Sequence, residues 1–124
     1  ATSSNSYVDV TGMSASITPS ATSSKILVRV CVMIGSGTTS SDNKIRVLRD
    51  SSNILTTDYV VRNDEGTSCN DEFTIEVLDS PSTTSEITYK LQGLAEANEL
   101  FVNRRGSATV TMGQSTITLM EVAA

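Results

Sequence analysis

This chain has no histidine and no tryptophan, and only two cysteines and two prolines. Without histidine, a Ser-His-Asp or Cys-His catalytic arrangement is impossible, and the commonest metal ligand is missing. Cys31 and Cys69 are too few for a disulfide framework. Cys31 lies in an apolar run and Cys69 in a polar stretch, so free thiols are expected. Cations are also short, with nine Lys and Arg against fourteen Asp and Glu, for a net charge of -5 and a pI near 4.5. Affinity for nucleic acid rests on neutralising phosphates, and only Arg104-Arg105 interrupts the acidic character, so nucleic acid is not an expected partner. No apolar run approaches the ~20 residues that a membrane-spanning helix needs, and the first residues carry no signal-peptide pattern, so no membrane insertion is expected. There is no phosphate loop, dinucleotide fingerprint or zinc spacing, and no cofactor is expected.

What the chain does have is hydroxyl side chains: Ser and Thr make up more than a quarter of its 124 residues. Thr favours strands and Ser favours turns, which suits an all-β domain. The length fits one domain, residues 1–124, with enough surface to bury a real core. Ala1 to Ser6 reads as a lead-in segment or the remnant of a longer chain. The organising stretch is Lys25-Ile-Leu-Val-Arg-Val-Cys-Val-Met-Ile34, where Ile26, Val28, Val30, Val32 and Ile34 share one parity. Five β-branched residues at every second position predict a central strand with one face on a core. The other parity, Leu27, Arg29, Cys31 and Met33, is too apolar for open water, so a sheet, a loop or a second subunit is expected to cover it.

Weaker alternation recurs on either side of this strand. Tyr7 to Ile17 is interrupted at Gly12, which predicts a bulge or bend between two short strands. Thr18 to Ser24 is a turn. Lys44–Arg49 and Ile54–Val61 flank a hairpin-length turn at Asp50–Asn53. Phe73-Thr-Ile-Glu-Val77 alternates strictly, as does Thr84–Leu94 through Ile87, Tyr89 and Leu91. Gly93 to Asn98 could hold one helical turn but no stable helix. Leu100–Asn103 and Ser115–Val122 complete about eight short strands, and Gly35–Asn43, Arg62–Asp71 and Arg104–Gln114 read as polar or irregular loops. The expected fold is an antiparallel β-sandwich or jelly roll.

Few residues suggest chemistry. Asp64, Glu65, Asn70, Asp71 and Glu72 offer oxygens for calcium, but their spacing fits no EF-hand, and a solvated acidic loop is the simpler reading. Glu76 and Glu86 could be imagined as a glycosidase pair; both sit on the polar parity of their strands, where they read as solvent-facing. Arg104-Arg105 could grip an anionic glycan or a carboxylate, or be two loop cations. No enzyme is expected.

The later half of the chain carries a resemblance. Leu78-Asp-Ser-Pro-Ser-Thr-Thr-Ser85, running into Ile87-Thr-Tyr-Lys-Leu-Gln92, resembles the C-terminal domain of tail fibres of marine bacteriophages, cyanophages among them. Phe101-Val-Asn-Arg104 looks like that family's Tyr-Val-Asn-Arg strand, with Phe101 where Tyr is common. Ser115-Thr-Ile-Thr-Leu-Met-Glu-Val-Ala-Ala124 is similar to its terminal strand, and Ser6-Tyr-Val-Asp9 and Ile17-Thr-Pro-Ser-Ala-Thr-Ser-Ser-Lys-Ile26 fit the same pattern. The order and spacing of these segments are more specific than any one of them. The loop after Arg104 departs from the family in length and content.

This resemblance implies the C-terminal part of a longer fibre chain: an extracellular virion appendage that contacts the host surface, most often as a homotrimer among other fibre proteins. The receptor is then expected to be a glycan or lipopolysaccharide, bound by loops held on a rigid scaffold. Asp42, Asn43, Asp64, Glu65, Arg104 and Arg105 are the candidate receptor-binding residues. Leu27, Arg29, Cys31 and Met33 are the candidate interface, since symmetric oligomers bury what a monomer leaves wet. The alternative is a trimerisation or capsid-decoration domain with no receptor of its own.

Overall fold

A computed structural model describes residues 6–36, 41–63, 69–95, 100–103 and 113–124, with backbone alone at 36, 41–42, 57–63 and 69–71. Eight strands follow in order: β1 Val8–Ile17, β2 Lys25–Ser36, β3 Ser41–Arg49, β4 Ser52–Asn63, β5 Cys69–Asp79, β6 Ile87–Ala95, β7 Leu100–Val102 and β8 Thr116–Val122. They form two antiparallel sheets, ordered β1-β6-β3-β4 and β5-β2-β7, with β8 also paired to β2. The expected all-β class and antiparallel sandwich are what the chain adopts, and no helix occurs among the described residues.

β2 holds the position that its apolar row predicts. β5 pairs with it from Ile26↔Asp79 to Ser36↔Cys69, and β8 and β7 share its other edge. Ile26, Val28, Val30, Val32 and Ile34 are each at most 1 % exposed. They meet Ile45 and Val47 of β3, and Ile87, Tyr89 and Leu91 of β6, in one continuous core. Burying side chains of this size is worth about 1.5–3 kcal/mol each.

Several expected boundaries move. β1 is one strand rather than two, with a register shift between Asp9 and Ser14 that Gly12 serves by adopting φ +81. The hairpin turn tightens to Asp50–Ser51, and Asn53 belongs to β4. Gly93–Ala95 completes β6, so the suggested helical turn does not begin at Gly93. Asp42 and Asn43 lie in β3, Arg62 and Asn63 in β4, and Cys69–Asp71 in β5. Ladder pairing overrides their polar composition, because Asp42 pairs with Arg62 and Asn43 with Val61. Cys31 is a free thiol. On the β2–β5 ladder Cys31 faces Thr74 while Cys69 faces Ser36, five positions or ~16 Å along a strand, which is out of disulfide reach.

The two sheets are tied at one end. Arg49 Nη1 of β3 donates to both carboxylate oxygens of Asp79 in β5 at 2.7 Å, and the Tyr89 hydroxyl of β6 donates to Asp79 Oδ2 at 2.7 Å. Asp50 accepts from Thr88 N at 3.0 Å and donates its own amide to Thr88 O at 2.7 Å. Glu121 of β8 accepts from the amide and hydroxyl of Ser20, each at 2.7 Å, fastening the β1–β2 turn. Hydrogen bonds from Ser24 and Ser20 hold the Glu121 carboxyl below its ordinary pKa.

Burial, then the Asp79 carboxylate, raise the Tyr89 phenol above its ordinary value of 10.0. A raised phenol contributes stability in full below pH 10 and loses it as pH climbs beyond. Tyr89→Phe should therefore flatten the alkaline decline in melting temperature between about pH 8 and about pH 11. Asp79→Asn should cost about 2 kcal/mol in urea unfolding at neutral pH, because Arg49 loses its partner in a partly buried site.

Candidate functional site

The connections 37–40, 64–68 and 96–99 join β2 to β3, β4 to β5 and β6 to β7, and all leave from the end opposite the Asp79 tie. The candidate loop residues Asp64, Glu65, Arg104 and Arg105 lie outside the described residues. Asp42 is described by its backbone alone, as the partner of Arg62 in a strand.

Asn43 is a correction to its reading as a loop residue. It continues the inward parity of Ile45 and Val47 and is fully buried, at 0 % exposure. Neither its Oδ1 nor its Nδ2 has a hydrogen-bond partner. Its ladder neighbours are Val61 of β4 and Ala95 of β6, so the strand holds the amide where those neighbours offer no side-chain partner. An unpaired buried amide costs about 1–3 kcal/mol. Sequence reasoning missed the burial although the signal was present: residues 43, 45 and 47 share one parity.

The candidate interface residues line the outer face of β2. Rows across β5, β2 and β8 read Leu78-Leu27-Met120, Glu76-Arg29-Thr118 and Thr74-Cys31-Thr116. Leu27, Cys31 and Met33 are half-buried, but Leu78 is 51 % and Met120 57 % exposed. Among the described residues no second sheet covers this face. A loop stem covers part of it, since the Gly113 backbone packs against Met33. Arg29 pairs with Glu76, Nε to Oε1 at 2.6 Å. Glu76 therefore belongs to the outer face of the β5-β2 sheet, while Glu86 is exposed in the connection before β6. The imagined carboxylate pair is not assembled.

The outer face of the other sheet carries a polar strip that sequence reasoning did not find. Arg46 Nε donates to Gln92 Oε1 at 2.8 Å, and Gln92 Nε2 donates to Asp9 Oδ1 at 2.7 Å. Lys90 Nζ reaches Asp9 at 3.2 Å, and the Arg46 guanidinium sits 4.2 Å from the Tyr7 ring centroid. The Gln92 bond, then Lys90, hold the Asp9 carboxyl below its ordinary pKa. These residues satisfy one another across β1, β6 and β3. No group of three or more acidic, cysteine or histidine side chains arranged for a metal occurs among the described residues.

Comparison with known proteins returns no matching family model and no matching curated protein.

Asn43→Leu, close to the same shape, should raise the unfolding free energy by about 1–3 kcal/mol, because an apolar group replaces an unpaired amide. Chemical denaturation measures it. A loss of that size would mean that the amide is satisfied.

Proposed function

We propose that this chain is a host-recognition domain of a phage tail fibre, binding a surface glycan or lipopolysaccharide with the end of the sandwich that carries connections 37–40, 64–68 and 96–99. The observation that carries this reading is the contrast between the two ends. At one end Asp79, Asp50 and Glu121 each have partners. At the other, where β2, β4 and β6 end, Asn43 is a buried amide left without one. Departures from good packing concentrate where function demands them, and binding groups concentrate on loops held by a rigid scaffold. The resemblance of the Leu78–Gln92 and Ser115–Ala124 segments to marine phage tail fibres supplies the biological setting. On this reading the domain sits outside the cell on the virion, and repeated copies multiply weak contacts by avidity.

A second reading is a trimerisation or capsid-decoration domain without a receptor. The exposed row Leu78-Leu27-Met120 favours it, because contiguous apolar surface marks association. The two readings are compatible if a homotrimer buries that row while the loop-bearing end faces the host.

Purified domain should compete with phage for adsorption to host cells, measured as the fraction of phage left unbound. Light scattering should give the mass of three chains. A trimer that never competes would leave the structural reading, and polysaccharide turnover lost on Glu76→Gln would replace both with an enzyme.

A further inference from the structure

The outer face of the β1-β6-β3-β4 sheet carries one polar side chain from every strand in a single row. Asp9 of β1 stands opposite Gln92 of β6, Gln92 opposite Arg46 of β3, and Arg46 opposite Thr56 of β4. Neighbouring strands lie about 4.8 Å apart, so the row covers about 14 Å with a polar group at each step. Every member is fixed by another side chain. Arg46 Nε donates to Gln92 Oε1 at 2.8 Å, and Gln92 Nε2 donates to Asp9 Oδ1 at 2.7 Å. Lys90 Nζ, from the next row of β6, reaches Asp9 at 3.2 Å. On β4, Asn53 Nδ2 donates to Thr56 Oγ1 at 2.6 Å. Bonds between side chains are the minority class in folded proteins, and here they hold a row member on each of the four strands.

These bonds use part of what the groups offer. A carboxylate accepts at about four sites, and Gln92 and Lys90 reach Asp9 at two of them. The Gln92 amide nitrogen carries a hydrogen besides the one given to Asp9, and a guanidinium has donors beyond Nε. Thr56 accepts from Asn53 and keeps its own hydroxyl hydrogen to donate. The row is bordered by an aromatic ring, since the Arg46 guanidinium sits 4.2 Å from the Tyr7 centroid. The outer face of the other sheet has a different chemistry, with Leu78, Leu27 and Met120 in one row.

A ligand for the polar row must present hydrogen-bonding groups at the spacing of the strands. It must donate to Asp9, which only accepts, and accept from Arg46 and Lys90, which only donate. A hydroxyl does both. Each residue of a linear sugar chain advances by close to the strand spacing, turns hydroxyls to its flanks and offers C–H faces that suit a ring such as Tyr7. A polyanion would meet Asp9 in the row and a chain of net charge -5. An apolar partner would strip water from these groups without replacing its hydrogen bonds.

We propose that this row is a binding site for a linear neutral polysaccharide lying across the strands, one sugar residue to each of Asp9, Gln92, Arg46 and Thr56. It is a site distinct from the loops and does not rest on the host-recognition reading. Side chains already held in place lose little freedom on binding, so modest bonds to hydroxyls add along the row.

The test offers the intact domain to a glycan array of linear neutral oligosaccharides of increasing length, beside sulfated and sialylated ones, and takes the strongest neutral ligand into calorimetry. Affinity should climb with length until the chain covers the four strands and then level off. Gln92→Ala should lose at least about tenfold in affinity while moving Tm by less than about 4 °C. Thr56→Val keeps the side-chain shape at an exposed position and should lose at least about threefold, whereas Thr118→Val on the outer face of the other sheet should lose nothing. If Gln92→Ala does not fold, Thr56→Val decides. Retention of no neutral chain, or of acidic chains alone, overturns the proposal, as does an affinity that survives both substitutions in the row. Neutral-chain binding by a domain that fails to block phage adsorption upholds this site and overturns the host-recognition reading.

Discussion

A strand buried on one face and hydrogen-bonded along both edges leaves its neighbours little freedom, and β2 is such a strand. Its inward row, Ile26 to Ile34, has to meet a second apolar surface, and β3 and β6 supply it with Ile45, Val47, Ile87, Tyr89 and Leu91. Its amides and carbonyls on both edges need partners for the whole length from Lys25 to Ser36, because unpaired backbone inside a sheet is costly. β5 satisfies one edge without interruption. The other edge is satisfied by two segments far apart in sequence, with Asn103 and Ser115 covering Met33 at the seam. The requirement falls on the edge as a whole and not on the continuity of the strand that fills it. That is why an excursion can leave at Asn103 and return at Ser115 without opening the sheet.

The inward parity of two strands ends in a polar residue, and the two ends of the core treat it differently. Along β5 the row Phe73, Ile75, Val77 ends in Asp79, whose carboxylate gathers Arg49 and Tyr89 across the sandwich. Along β3 the row Val47, Ile45 ends in Asn43, whose amide gathers nothing. A buried charge without partners would cost more than an amide without partners, so the carboxylate sits where donors from the opposite sheet converge. The two sheets are therefore tied by side chains at the Asp79 end.

The strands themselves were legible because period-two alternation is a local signal. Lys25–Ile34, Phe73–Val77 and Ile87–Leu91 needed no knowledge of their partners to be read as strands facing a core. The ends of strands were less legible, because pairing there is decided by the neighbour. Asp42, Asn43, Arg62 and Cys69 have loop-like composition, yet their partners on adjacent strands draw them into the ladder. The inter-sheet tie was unreadable for a related reason: Arg49, Asp79 and Tyr89 come from three strands, and only the topology brings them together. The division of one edge between β7 and β8 is likewise a fact of register, which no single strand contains.

An exposed outer face with an apolar row invites association, and the pattern across it limits how this sheet can associate. Leu78, Leu27 and Met120 form a band across three strands, and the neighbouring row replaces it with the Arg29–Glu76 pair. β2 lies inside this sheet, with β5 on one side of it and β7 and β8 on the other. To any partner that approached face-on, the apolar band would supply attraction, and the Arg29–Glu76 pair would penalise a register that stripped its water without replacing its hydrogen bonds. A contact on this face would therefore be favoured in a few registers and penalised in the others.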